Sequence, residues 1–316
     1  MITMSLREGF SLLAFLLLLL AIYGLEMLLL VDYVWGRICK RPGKSELFAR
    51  RYIVLHAAAA VGIGCWLYGR FVEPNWIDVH MTTIHTPKLK TAGFRLVQVT
   101  DLHCDGKIRN EERMVRIING LKPDIVVATG DYLNHRLGLP HLRDSLKRLD
   151  APLGKFAVTG NQDIGLPPQI DLLEGTGFRW LNQETVVVTK GTDCLGLSGL
   201  SIVHAWAAVD TIKSLPRDRF NVFLFHTPDL IKGVSGPGVD LYLCGHTHGG
   251  QVCLPWYGAL ITFSKFGKKY ESGLYRVGET TLYVNRGLGL EPRPGPQVRF
   301  LARPEIAVFD IVPGRQ

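Results

Sequence analysis

His246 and His248 stand two positions apart in Leu241 to Gln251, LYLCGHTHGGQ, directly after an apolar run and among glycines at 245, 249 and 250. A short apolar run bounded by glycines reads as a buried strand followed by a tight turn, which puts both imidazoles on the rim of a sheet. Alone, a His-x-His pair is only moderately specific, since paired histidines also occur on surfaces and in cores. Four other strand-to-loop transitions end in donors of the same kind: Asp101 and His103, then Asp131, Asn161 and His226. Seven such oxygen and nitrogen donors suffice for two divalent ions, provided one carboxylate is shared. Asp131 can be that bridge, because a carboxylate has two oxygens whereas an imidazole offers one free lone pair. Mixed imidazole and carboxylate sets suit manganese, iron, zinc or cobalt, and need no cysteine.

The elements that must hold these residues follow a regular rhythm. Phe94 to Thr100 reads as a strand and Asn110 to Leu121 as a helix, with a Met114, Val115, Ile117, Ile118, Leu121 stripe and acidic residues in its first turn. Ile125 to Thr129 is a second strand, His141 to Leu149 a helix and Lys155 to Thr159 a third strand. Strands at Thr185 to Lys190, Leu195 to Ser198, Asn221 to Phe225, Leu241 to Cys244, Gly273 to Val277, Thr281 to Val284 and Ile306 to Ile311 enrich the second half. The pattern predicts an α/β fold of two packed sheets with helices outside and ligands gathered at the carboxyl ends of strands. Glu291 to Pro296, rich in Pro and Gly, reads as a surface loop, and no internal repeat is present.

The front of the 316-residue chain differs. Phe10 to Leu25 carries no charge, and after Glu26 the apolar run resumes to Val31, a length that matches the ~20 residues of a membrane span. Glu26, near the end of the run, is expected to reach toward the headgroups. Asp32 to Arg51 carries Arg37, Lys40, Arg41, Lys44, Arg50 and Arg51 against Asp32 and Glu46, a cluster that favours the cytoplasmic side. A second uncharged run, Tyr52 to Gly69, contains His56 and is a weaker span. If both segments cross, the domain after Arg70 lies outside; if only the first crosses, it lies inside. Charge counting leans to the outside, and either way the chain is expected in a cell (inner) membrane. The expected organisation is an anchor at 1–72, a linker with one edge strand at 73–92 and a catalytic domain at 93–316.

The formal net charge of +8 owes much to the basic segment, and no helix-turn-helix, zinc finger or aromatic-interleaved basic platform accompanies it, so nucleic acid is not an expected partner. Six cysteines without a C-x-x-C pair argue against a structural zinc site and for dispersed thiols. Cys104 reads as a packing thiol.

Taken in order, DLH (Asp101 to His103), GD (Gly130, Asp131), GNQD (Gly160 to Asp163), His226 after a strand and GHTH (Gly245 to His248) resemble the blocks of the calcineurin-like metallophosphoesterases. The resemblance covers roughly Phe94 to Ile311 and implies a two-sheet β-sandwich flanked by helices. It also implies one metal held by Asp101, His103, Asp131 and His248, and a second by Asp131, Asn161, His226 and His246. The catalytic set it implies is Asp131, Gln162 and His248. Two positions depart from the family pattern. Where most members have a His acting on the leaving group and an Asp orienting it, this chain has Gln162 and Asn134. Loss of both together points to a leaving group that needs little protonation, such as a phosphoanhydride, with Gln162 a neutral donor to a phosphoryl oxygen. His135 is a candidate substitute acid.

The apolar front end and the tail GHTHGGQVCLP…SGLYRVG…LYVNRGLG are similar to a membrane-linked branch related to UDP-2,3-diacylglucosamine pyrophosphatases of lipid A biosynthesis. Generic phosphodiesterases belong to the same branch, so a membrane phosphodiesterase on phospholipid or nucleotide esters is the alternative. A metal-binding scaffold without turnover is the third reading. Lys265 and Lys268, among Phe263, Phe266 and Tyr270, suit a phosphate plus an acyl chain, or a solvated basic loop. Arg286 suits a phosphate clamp, or the brace of a turn.

Overall fold

The computed structural model describes residues 4–40, 47, 49–166, 170–292, 295 and 297–314. Arg41, Lys44 and Glu46 of the basic segment, and part of the 291–296 loop, lie outside the described residues.

Helix α1 (Leu6–Ile38) opens with a reciprocal cap: Ser5 Oγ accepts from Glu8 N–H, and the Glu8 carboxylate accepts from Ser5 N–H. Helix α2 (Ile53–Phe71) returns antiparallel to it. Tyr23 Oη donates to Ala59 O, and Glu26 meets His56 Nδ1 at 2.8 Å, so positions climb along one helix as they fall along the other. Glu26 therefore does not reach toward headgroups unaccompanied; its partner is an imidazole on the neighbouring helix. Both helices are long and apolar enough to cross a membrane. Leu13, Leu17, Leu20, Leu28, Val61 and Trp66 point away from the protein, as lipid-facing side chains do.

Two six-stranded sheets follow. The first contains β1 (Asp78–Thr86), β2 (Phe94–Val99), β3 (Ile125–Ala128), β4 (Lys155–Ala157), β5 (Phe178–Trp180) and β14 (Glu305–Pro313), in the order β1-β14-β2-β3-β4-β5. The second contains β6 (Glu184–Lys190), β7 (Asp193–Gly199), β8 (Phe220–Leu224), β9 (Leu241–Cys244), β12 (Gly273–Val277) and β13 (Thr280–Val284), in the order β12-β13-β9-β8-β7-β6. A small hairpin, β10 (Cys253–Leu254) with β11 (Gly258–Ala259), forms a separate two-stranded sheet. The expected edge strand exists as β1, which pairs with β14 along its whole length. Residues 78–86 thus belong to the sheet, and the connector at 73–92 is shorter than its composition suggested.

Period-two alternation sorts the strands into layers. Leu96, Ile125, Val127, Leu241 and Leu243 meet between the sheets. Their neighbours Val97, Val99 and Val126 face α3 (Glu111–Leu121) and α4 (Leu139–Lys147), while Tyr242 and Cys244 face α5 (Ala208–Lys213) and α6 (Ile231–Val234). Strands covered on both faces read as continuous apolar runs, which is why β3 and β9 show no alternation in sequence. Each fully buried Leu, Ile or Phe contributes roughly 1.5–3 kcal/mol. The resulting stiff sandwich fixes the strand ends from which the donors project.

The hairpin of α1 and α2 is tied to this sandwich at both of its ends. At the start of α1, Glu8 accepts from Thr262 N–H and Oγ1–H at 2.8 and 2.7 Å. Glu73, just past the end of α2, accepts from Leu301 and Ala302 N–H, and Arg299 N–H donates to Gly69 O in its last turn. The hairpin thus leaves from and returns to one side of the domain.

Candidate metal centre

Five of the seven donors stand on backbone that L-residues seldom adopt. Asp101, His103, Asp131, His246 and His248 all have φ between 45° and 72°. Each chain leaves its strand and reverses within a residue or two, which turns the side chain inward over the sheet rim. Positive φ at so many non-glycine positions is costly, on the order of 1–3 kcal/mol each, and is tolerated where surrounding contacts over-determine it. Those contacts are present. Asp163 accepts from the backbone N–H of Gly160, Asp131 and Tyr132 at 2.7, 2.8 and 2.9 Å, locking the GD turn against the GNQD turn. Gly160 and Gly245 are glycines for a steric reason: a methyl on either would overlap the Asp131 or the Asp101 carboxylate.

Two clusters result, Asp101 with His103 and His248, and Asp131 with His226 and His246. Within the first, His103 Nε2 and His248 Nε2 are 3.0 Å apart; within the second, His246 Nδ1 and His226 Nε2 are 3.2 Å apart. Donors bound cis to one cation at ~2.1 Å would be about 3 Å apart, so these separations fit shared ions. Asp131 Oδ2 joins the clusters, 3.2 Å from His226 Nε2 and 3.9 Å from His103 Nε2. The second ring nitrogens are occupied. His226 Nδ1 donates to Thr129 O at 2.7 Å, His103 Nδ1 to Asn134 Oδ1 at 2.6 Å, and His246 Nε2 lies 3.3 Å from Phe263 O. Fixing one nitrogen this way leaves the other as a free lone pair aimed into the site.

Two further observations ask for positive charge here. Asn161 Oδ1 is buried without a hydrogen-bond partner among the described residues, which a cation would supply. Burial by itself would raise the Asp101 and Asp131 carboxyls, yet neighbouring imidazoles hold both below the usual range. Burial pushes His226 down, but Asp131 and Asp101 outweigh it and carry the imidazole up to about 10. Asp163 is pushed the other way, to about 6, by burial and by Asp131. A buried pair of carboxylates surrounded by imidazoles accommodates either protons or divalent cations, and the donor set fits the latter.

The remaining expected residues fall in different places. Gln162 borders the centre, its backbone N–H donating to Asp131 Oδ1 at 2.8 Å. Asn134 serves His103 and holds Leu290 O through its amide. His135 is exposed and accepts from Leu137 N–H, so it makes no contact with the cluster. Arg286 is committed to Glu305 and Asp78, each at 2.8 Å; it braces the turn after β13, and the phosphate-clamp reading is set aside on that ground. Lys265 and Lys268 lie outside the centre, along the junction with α1. Cys104 is buried, and burial raises its thiol well above the usual value. No disulfide joins the six cysteines.

Three residues of the centre were not anticipated. Asp163 carried a signal, its place in GNQD. Arg299 and Glu291 carried none: the buried guanidinium of Arg299 lies 3.2 Å from His248 Nδ1, and Glu291 Oε1 lies 3.4 Å from His248 Nε2.

A two-sheet sandwich with a doubled Asp and His cluster at its strand ends defines a dinuclear metallohydrolase class. Residues 94–250 match the family described as calcineurin-like phosphoesterase. The chain is 34% identical over 299 residues to the uncharacterized metallophosphoesterase YkuE of Bacillus subtilis, covering 86% of this chain and 98% of that protein. It is 28% identical over 310 residues to the UDP-2,3-diacylglucosamine pyrophosphatase LpxG of Chlamydia trachomatis, covering 77% and 92%. Against the phosphodiesterase YaeI of Escherichia coli it is 27% identical over 275 residues, covering 83% and 98%. The protein belongs to the calcineurin-like phosphoesterase family and is a metal-dependent phosphoester hydrolase.

Proposed function

We propose that this is a membrane-anchored dimetal phosphohydrolase acting on a phosphate-bearing lipid or nucleotide. Asp101, His103, Asp131 and His248 hold one cation, and Asp131, Asn161, His226 and His246 hold the other, drawn from manganese, iron, zinc or cobalt. When bound, such a pair would lower the pKa of water and neutralise charge on the phosphoryl group. The chain's own groups do the rest. Asp131 keeps the two halves in register, His248 and its neighbours fix the coordination directions, and Gln162 offers a neutral amide to a phosphoryl oxygen. The observation that carries the reading is the pair of buried three-residue clusters joined by Asp131.

Without an imidazole at 162, the site favours a leaving group that departs as a stabilised anion. A phosphoanhydride such as that of UDP-2,3-diacylglucosamine, the compound in the name of the relative LpxG, meets this condition and is the substrate proposed here, in lipid A biosynthesis. Release of UMP from that compound by the metal-loaded full chain is the test, with bis(p-nitrophenyl) phosphate as the reference ester. Turnover of the ester alone would leave the phosphodiesterase reading, and turnover of neither, with metal bound, the scaffold. Gln162→His should raise the rate on esters with poor leaving groups relative to the anhydride.

The anchor favours the phosphodiesterase reading as an alternative. A two-span hairpin with its basic turn in the cytoplasm would hold the domain on the opposite face, away from cytoplasmic nucleotide sugars. Protease accessibility of the domain in intact cells decides between them.

A further inference from the structure

We propose that the cavity between the start of α1 and residues 257–270 binds the anionic, phosphate-bearing headgroup of a lipid that stays in the bilayer, so that the anchor helix is itself one wall of the substrate site. The inference rests on the phosphohydrolase reading and adds the place where the lipid is held. The cavity measures about 510 Å³ and is lined by Arg7 on the helix side and by Tyr257, Lys265, Phe266, Lys268 and Lys269 on the other. Four cations face it. Its one acid, Glu8, is already engaged by Thr262 and Ser5. Among the described residues, Arg7, Lys265 and Lys269 form no ion pair, whereas Lys268 donates to Tyr257 O. Four cations against one carboxylate leave the cavity net positive, which is complementary to phosphate.

Depth along the helix points to a lipid as the source of that phosphate. Helix α1 has 33 residues, about 50 Å at 1.5 Å per residue, against a hydrocarbon core of about 30 Å, so it overhangs. Its uncharged run begins at Phe10, three residues after Arg7, which sets the cavity at headgroup level. Trp256, fully exposed at the tip of the β10–β11 hairpin, and Tyr257, whose hydroxyl meets Ser11 Oγ, are aromatics of the kind that settle at a bilayer interface.

A single stretch of chain also links the cavity wall to the metal centre. Phe263 O lies 3.3 Å from His246 Nε2. In the next two residues, Ser264 Oγ and Lys265 N–H both donate to Asp229 Oδ1, three residues past His226. One short segment therefore runs from the second cation site to the basic wall, held at Thr262 by Glu8 of the anchor. A headgroup in the cavity would present its phosphate to the centre while its acyl chains follow α1 into the membrane.

The test uses the full chain in neutral detergent micelles and reads anisotropy of phosphatidic acid labelled on an acyl chain. Binding should weaken about tenfold or more in Arg7→Ala/Lys269→Ala, the scale of two surface cations. It should recover in Arg7→Lys/Lys269→Arg, which keeps the charge and controls for folding. Removing two cations elsewhere on the domain, Lys147→Ala/Lys213→Ala, should change it less than twofold. Equal losses in the two alanine pairs would mean unspecific attraction and overturn the proposal. So would displacement of the lipid by equimolar glycerol 3-phosphate, the mark of a free-phosphate site. The readout needs no turnover, so a chain that hydrolyses bis(p-nitrophenyl) phosphate yet fails here refutes the headgroup site alone.

Discussion

Around Asp131, four backbone amides and two imidazoles hold the Asp131 and Asp163 carboxylates in fixed positions. At the junction of α1 with the domain, by contrast, Glu8 supplies the main polar tie, and the surrounding cations are left open. The first region is built for fixed geometry, since metal ligands displaced by a fraction of an ångström lose their function. The second needs only charge and depth, because a mobile headgroup tolerates slack that a coordination sphere does not. The contrast predicts that substitutions in the centre act on chemistry and metal, while those at the junction act on lipid and local opening.

The largest effect belongs to Asp131→Ala. Removing the carboxylate common to both clusters should lower kcat on bis(p-nitrophenyl) phosphate by about a thousandfold and reduce bound metal measured by plasma mass spectrometry. Full metal content with undiminished turnover would break the comparison at its centre. Next comes Asn134→Ala, which frees His103 Nδ1–H. Loss of such an orienting partner typically costs 10–100-fold in metal affinity, readable by competition with a chelator, and the cation nearer His226 should be affected less.

A smaller effect is expected at the junction. Glu8→Ala leaves Thr262 N–H and Oγ1–H without their acceptor, a loss of roughly 1–3 kcal/mol, so the 257–270 segment should open more often. Trypsin cleavage after Lys265, Lys268 or Lys269 should then quicken by about tenfold, since 1.4 kcal/mol corresponds to that factor. Unchanged cleavage would mean that the anchor does not brace the segment.

The two regions were unequally legible in sequence. Asp101, His103, Asp131, Asn161, His226, His246 and His248 could be read because each follows an apolar strand, and strand ends are where an α/β sheet gathers ligands. The strands themselves were visible as Val, Ile and Leu runs, whereas the three-residue β5 was too short to register. What could not be read was contact across long separations. Glu8 and Thr262 are 254 residues apart, and nothing local marks an acid in the first turn of an apolar helix as the partner of a distant threonine. Arg286 was legible only as a clamp or a brace for the same reason: Glu305 and Asp78, which engage it, reach it from elsewhere in the chain. Asn134 was read as a departure from the family pattern, and its contact with His103, 31 residues away, had no local mark either.

Between the two regions in kind lies Asp193, at the start of β7, which accepts from the backbone N–H of Lys90, Thr91 and Ala92 and so fastens the connector after β1 to the second sheet. These amides, foremost those of Ala92 and Thr91, lower its carboxyl to about 2. A carboxyl depressed in the folded state stabilises that state fully above its unfolded value, near 3.9, and loses the contribution as pH falls toward 2. Asp193→Asn should therefore unfold at lower temperature than the parent at pH 6, with the gap closing between pH 4 and pH 2. Acid also strips the metal centre, but it does so in both proteins, so the difference between them isolates this one group. A gap that stayed constant through that window would mean that shape rather than charge holds the connector, and would move Asp193 to the side of the anchor junction, where partners are few and loosely set.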